Sequence, residues 1–306
     1  MRVKLAIARA LRVLTRRVGR RGGTTLPGRV LLRLAPGTIA VLGKRLERGS
    51  VVVSATNGKT TTSAMLAAVL ERGGAELVSN RAGSNMNWGV ATALLDAGSA
   101  PGQIGLFEVD EAWLAPVARD LDPSLVLLSN LFRDQLDRYG ELELLADSWA
   151  ELVAERDGTS TFVLNADDPL VADLGRDRQR VVYFGVEDRS HSLEALEHAS
   201  DSKRCRNCGH DYVYDAVYLG HLGRYRCPNC GRERPQPQVA AEKVTLRGMS
   251  GSDVRIGTPA GAIELSLPLP GLYNVYNALA AAASAFALGA RAEHVRAGLE
   301  HAAAVF

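Results

Sequence analysis

The chain has 306 residues, of which 46% are hydrophobic and 23% charged, a globular balance that excludes wholesale disorder. Lysine plus arginine exceeds aspartate plus glutamate by only 36 − 34 = 2, which gives no support to a general nucleic-acid binder. Four cysteines are too few for a disulfide scaffold at this length, and no apolar run reaches the roughly 18 residues that a membrane-spanning helix needs.

The first 23 residues carry Arg2, Lys4, Arg9, Arg12, Arg16, Arg17, Arg20 and Arg21 without one acidic residue. Ile7, Leu11 and Leu14 fall at helical spacing, so residues 1–45 are expected to form a basic, helical N-terminal segment. A signal peptide is not expected, because arginines interrupt the unbroken apolar core it would need. Three readings stay open: a solvated basic helix, a helix resting on an anionic membrane surface, and a transit peptide.

From about residue 50 short apolar strands alternate with helices. Strands are expected at 51–53, 104–109, 124–129, 161–164 and 180–184, and helices at 60–72 and 141–155. Continuous apolar strands separated by helices predict an α/β fold, a mostly parallel sheet with helices on both faces. Residues 200–236 break the rhythm and read as an inserted module rich in Cys, Gly, Asn, Tyr and Arg. Beyond it, 243–247 and 253–268 alternate like hairpin strands, and 273–288 and 291–303 read as helices.

The strongest motif is Ser54-Ala-Thr-Asn-Gly-Lys-Thr-Thr-Thr62, between a strand and a helix. Backbone N–H groups at a helix N-terminus point at an anion, and the helix dipole adds to the attraction. Thr56, Asn57, Gly58, Lys59, Thr60 and Thr61 are therefore candidate phosphate contacts. Lys59 can reach the outer phosphates and the Thr60 hydroxyl can ligate Mg²⁺. The plain alternative is a chance Gly-Lys-Thr at a helix start. An ordinary phosphate loop has a glycine six residues before the lysine, and Val53 stands there.

Cys205-Arg-Asn-Cys208 and Cys227-Pro-Asn-Cys230 are two Cys-x-x-Cys knuckles with 18 residues between them. That spacing suits a four-cysteine structural zinc site, each pair supplying two corners of a tetrahedron. Two disulfides, or a nucleic-acid-binding ribbon using the arginines around the knuckles, are the alternatives.

The loop resembles the shortened Thr-Asn-Gly-Lys-Thr-Thr loop of the Mur ligase family, ATP-dependent enzymes of peptidoglycan precursor synthesis. Other segments fit the resemblance in order. Glu108, at a strand end, matches the glutamate that holds Mg²⁺; Lys59 and Glu108 are thus the implied catalytic residues. Residues 130–140 look like the family's Asp-His-Leu-Asp segment, with Gln135 where most members have a histidine. Asn165-Ala-Asp-Asp-Pro169 resembles a turn near the nucleotide, and residues 271–278 the segment that sets Asn274 and Asn277 against adenine. The resemblance implies a Mur-ligase-like ATP-binding domain over 46–306, with the zinc ribbon inserted at 200–236.

The ribbon, Gln135, and the lack of any lysine between Lys59 and Lys203 narrow the resemblance to the family's MurT-like branch, the ATP-using subunits of lipid II isoglutaminyl synthase. Membership would imply ATP-dependent amidation of the D-glutamate α-carboxylate in the lipid II stem peptide, with ammonia from a GatD-like glutaminase partner. ATP and Mg²⁺ would be used, Zn²⁺ would be structural, and no nucleic acid would be bound. A cytoplasmic heterodimer, peripheral at the inner membrane surface, is implied. The family's C-terminal Rossmann-like domain is expected to be absent, so residues 1–306 are expected to bind ATP weakly and amidate poorly alone. Another Mur-type amino-acid ligase, or an inactive nucleotide-binding remnant, are the competing readings.

Overall fold

The computed structural model describes residues 25–81, 84–97, 102–133, 141–194 and 201–302. The expectations for the basic stretch up to residue 24, for Gln135 and for the end of the last helix lie outside the described residues. The chain divides into two compact units, residues 1–54 with 74–126 and residues 55–73 with 127–306.

In the first unit the strands run in the order β4-β1-β3-β2. They are β1 (Ser50–Ser54), β2 (Glu76–Ser79), β3 (Gln103–Glu108) and β4 (Leu125–Leu128), and the division between the units falls inside β4. β3 pairs in parallel with both β1 and β2. β1 is buried at every position, as its unbroken β-branched run requires. Helices α1 (Leu26–Leu34) and α2 (Thr38–Gly43), which the sequence groups with the basic segment, pack in this unit. α1 lies on α4 (Asn87–Asp96), and α2 lies on α4 and on α5 (Leu114–Leu121). Helix α3 (Lys59–Arg72) follows β1 in sequence but belongs to the second unit.

The second unit carries β5 (Thr161–Asn165), β6 (Val181–Val186), β9 (Val239–Leu246), β10 (Ser252–Thr258) and β11 (Gly261–Leu267), in the order β11-β10-β9-β6-β5. β5, β6 and β9 are parallel; β9, β10 and β11 form an antiparallel meander. The alternation at 243–268 foretells the meander, because a sheet with one wet face exposes every second residue. Helices α6 (Glu141–Glu155) and α7 (Pro169–Leu174) pack together, α7 on β5. The alanine-rich α8 (Leu272–Ala287) covers β5, β6 and β9, and α3 packs against α8 and α9 (Ala292–Glu300). The inserted module forms a separate two-stranded antiparallel sheet, β7 (Val213–Leu219) and β8 (Leu222–Arg226).

Candidate functional site

The chain leaves β1 at Ser54, crosses Ala55–Asn57 and enters α3 through Gly58. Gly58 is the helix N-cap in the left-handed region, at φ +80°, and a Cβ there would fall 2.2 Å from Asn277 Oδ1. Both facts demand glycine. The N-cap residue, being glycine, has no side chain of its own to cap the helix.

The loop is held by the segment that follows β4. Thr56 N–H donates to Asn130 O at 3.0 Å, and Asn57 N–H donates to Asn130 Oδ1 at 2.9 Å. Asn130 Nδ2 donates back to Asn57 O at 3.0 Å. The Thr56 hydroxyl accepts from Phe132 N–H at 3.0 Å and lies 3.3 Å from Phe132 O. Lys59 Nζ turns back onto its own loop, against the carbonyls of Ala55 and, at 3.4 Å, Thr56. Asn57 and Thr60 are exposed and Thr61 is half-buried.

Asn274 and Asn277, expected at adenine, are both buried and support the loop from behind. Thr62 Oγ1 donates to Asn277 Oδ1 at 3.2 Å, Asn277 Nδ2 to Asn274 Oδ1 at 3.1 Å, and Asn274 Nδ2 to Pro270 O at 2.8 Å. This chain ties the start of α8 to the first turn of α3. Glu108 ends β3 in the first unit, where Asn80 fixes its backbone: Glu108 N–H donates to Asn80 Oδ1 at 3.0 Å, and Asn80 Nδ2 donates to Glu108 O at 2.8 Å.

The four thiols of Cys205, Cys208, Cys227 and Cys230 converge, all within 4.8 Å of one another. Cys205 and Cys230 sulfurs are 3.6 Å apart, and those of Cys208 and Cys227 3.4 Å. None is disulfide-bonded. A tetrahedral ion with metal–sulfur bonds of about 2.3 Å needs sulfurs roughly 3.8 Å apart, so the set fits a thiolate-bound metal. The two knuckles repeat one geometry. Gly209 N–H donates to Cys205 O at 2.8 Å and Gly231 N–H to Cys227 O at 3.1 Å, with φ of +75° and +73° at the two glycines. The Arg232 N–H and then the Asn207 amide bring the Cys230 thiol down to about 6, whereas at Cys227 the pull of the Cys230 N–H is outweighed by burial and the neighbouring thiols, which push it up to about 11; the fit to a metal rests on the geometry of the four sulfurs.

The turn after β5 anchors this module, a role the sequence does not announce. Arg234, at the module's end, places Nε on Asp167 Oδ1, Nη1 on Glu187 Oε1 at 2.7 Å and Nη2 on Val186 O at 3.0 Å. Asp167 also accepts from Val186 N–H at 2.8 Å and from the Tyr276 hydroxyl at 2.6 Å. Burial holds the Asp167 carboxyl above its usual value, with Arg234 pulling the other way. The adjacent Asp168 caps α7, its Oδ1 accepting from Leu170 N–H at 2.9 Å, while Oδ2 accepts from Leu131 N–H at 2.9 Å. The Asp-Asp-Pro sequence signals the cap; it carries no sign of the partners reached across 37 and 67 residues.

Residues 53–231 match the Mur ligase middle domain. The chain belongs to the Mur ligase family. Relatives include the lipid II isoglutaminyl synthase (glutamine-hydrolyzing) subunit MurT of Staphylococcus aureus (strain N315), 29% identical over 294 residues, which are 96% of this chain and 64% of that protein. The MurT subunit of Streptococcus pneumoniae (strain ATCC BAA-255 / R6) is 33% identical over 292 residues, 95% of this chain and 63% of that one. A pseudomurein peptide ligase type C from Methanothermus fervidus has the same fold, with a TM-score of 0.71 and 29% identity over 87% of this chain and 51% of that one. MurF from Acinetobacter baumannii, at a TM-score of 0.64 and 20% identity over 92% of this chain and 50% of its own, shares the Mur ligase fold. The chain therefore spans less than two-thirds of the length of these MurT subunits and about half that of these solved ligases. Among the described residues no helix is long and apolar enough to cross a membrane.

Proposed function

We propose that this chain is the ATP-using part of a carbon–nitrogen ligase that amidates the D-glutamate α-carboxylate of the lipid II stem peptide, giving D-isoglutamine. The observation that carries the reading is the Thr56–Thr61 loop that enters α3 through the left-handed Gly58, in a chain similar to MurT subunits over nearly its whole length. All four cysteines fall in the thiol cluster, so glutamine hydrolysis is assigned to a separate glutaminase partner.

A carboxylate is already anionic and resists nucleophiles, and transfer of the γ-phosphoryl group makes it an acyl phosphate. Ammonia then attacks the acyl carbon, the carbon–oxygen bond to phosphate breaks, phosphate leaves with the electron pair, and a proton is released. In this reading the first-turn amides of α3 cradle the phosphates, and Lys59 swings off the Ala55 and Thr56 carbonyls to neutralise charge as the phosphoryl group moves. Thr60 and Glu108 are the residues proposed to hold Mg²⁺, which screens the phosphate charge. Asn274 and Asn277 shape the floor of the nucleotide site. Cys205, Cys208, Cys227 and Cys230 hold a structural zinc ion, since four thiolates leave no open position for catalysis.

The test is ATP-dependent conversion of lipid II by this chain with a glutaminase partner, comparing glutamine, ammonia and free amino acids as donors. ADP release with amide formation, supported by glutamine or ammonia and slow for residues 1–306, is the expected result. Turnover that depends on an amino acid would favour a peptide-ligase activity, a second reading that the likeness to the pseudomurein peptide ligase raises.

A further inference from the structure

His221 lies in the Gly220-His221 turn of the β7–β8 hairpin, a place where side chains ordinarily face water. Here its ring is fully buried. Nε2 sits 3.2 Å from Asp168 Oδ2, off the line of a good hydrogen bond, and Nδ1 has no partner among the described residues. The ring packs on Phe132 with centroids 4.6 Å apart. The turn backbone presses on the same ring, since a Cβ at Gly220 would fall 2.9 Å from Phe132 Cε1. The Tyr214 hydroxyl reaches both His221 O, at 3.0 Å, and Ser202 O, at 3.1 Å, so the turn is tied to the start of the cysteine module. Burying a polar ring with an unmet nitrogen costs free energy, and packing against Phe132 and Asp168 must offset it.

What those two residues do next gives the burial meaning. The Asp168 oxygen that faces His221 also accepts from Leu131 N–H, and Phe132 exchanges hydrogen bonds with Thr56. Asn130, one residue earlier, grips Asn57. Residues 130–132 thus touch the hairpin on one side and the phosphate loop on the other.

We infer that the metal-bearing hairpin is a positioning device for the phosphate loop, with His221 as its positioning residue, so that metal binding at the four thiols and nucleotide binding at residues 56–61 favour each other. The inference rests on the nucleotide reading of that loop. Metal closure removes conformational freedom from the module, and an ordered hairpin holds 131–132 in the arrangement the loop needs. A coupling of this kind is reciprocal.

The test uses the full chain. A magnesium–ATP analogue that cannot be hydrolysed is titrated into the zinc-loaded chain, the zinc-stripped chain, His221→Phe and His221→Gln, with Lys59→Ala as control. Phenylalanine keeps the ring on Phe132 and faces Asp168 with carbon; glutamine restores a donor. Stripping zinc or introducing phenylalanine is expected to weaken nucleotide binding about tenfold, and glutamine to stay within about threefold of the parent. Hydrogen exchange on the unmodified chain without nucleotide needs no variant to fold. Zn²⁺ is expected to slow exchange at Thr56, Asn57, Leu131 and Phe132 as well as within 201–234. Protection confined to 201–234, or a folded His221→Phe that binds nucleotide as the parent does, would overturn the inference. A parent that binds no nucleotide, like Lys59→Ala, would instead overturn the reading of the loop on which it rests.

Discussion

The side-chain amide of Asn130 closes a two-point bridge to the backbone of Asn57, accepting from its N–H at 2.9 Å and donating to its carbonyl at 3.0 Å. An asparagine used this way acts as an extra strand residue, fixing both polar groups of one peptide position. Asn130 is itself buried, so its removal leaves partners without replacement. Asn130→Ala is expected to lower stability by about 1–3 kcal/mol and to weaken nucleotide binding about tenfold by loosening the loop. Urea unfolding and calorimetric titration check the two effects separately.

Arg234 and Asp167 form an enclosed ion pair, with Arg234 9% exposed and Asp167 fully buried. Burial disfavours both charges. The arginine nonetheless stays strongly charged, because Asp167 and Glu187 hold its proton. Arg234→Met alone is expected to cost about 3–5 kcal/mol, since it strands a buried carboxylate. Adding Asp167→Asn should recover much of that loss, because a pair of neutral groups avoids the desolvation penalty. Denaturant melts of the two single variants and the double variant measure the coupling.

Asp188 gives a pH signature. Its partial burial would raise its pKa, but the Ser190 hydroxyl, the Val244 N–H and the Ser190 N–H outweigh this and hold it below 3.8. A depressed folded-state pKa stabilises above the unfolded value, near 3.9, and that share is lost as pH falls through the folded value. Asp188→Asn is therefore expected to lower the Tm modestly at neutral pH, and the deficit should shrink as pH drops below about 4. Thermal melts of parent and variant across that range test the sign.

Much of the architecture is written locally. The run at 51–53, the triple leucine-valine stretch at 125–128 and the alternation at 243–268 each state a strand, because burial on two faces or one leaves a distinct pattern. The cysteine knuckles and the Gly-Lys-Thr start of α3 are legible for the same reason: a metal corner or a helix N-terminus needs neighbours in sequence. β2 is not, because Glu76-Leu77-Val78-Ser79 is short and half-exposed, with no periodicity to read. Helices α1 and α2 fall inside the stretch 1–45 that the sequence reads as one basic helical segment; their separate bounds are hidden because the arginines before them dominate the composition. The anchors escape for a different reason. His221 on Asp168 and Arg234 on Asp167 are pairings across 53 and 67 residues, and nothing adjacent to either partner encodes the other. Asn274 and Asn277 illustrate the limit within one helix: their spacing sets them on one face, but only the fold shows that they bond to each other and to Thr62.

The account turns on whether residues 56–61 cradle a triphosphate. A crystal of the chain soaked with Mg²⁺ and a non-hydrolysable ATP analogue tests this most directly. The expected result is phosphate density against the first-turn amides of α3, with Lys59 Nζ moved from the Ala55 and Thr56 carbonyls onto the phosphates. An occupied crystal with the nucleotide elsewhere, or an empty loop with Lys59 still folded on its own backbone at saturating analogue, would contradict it.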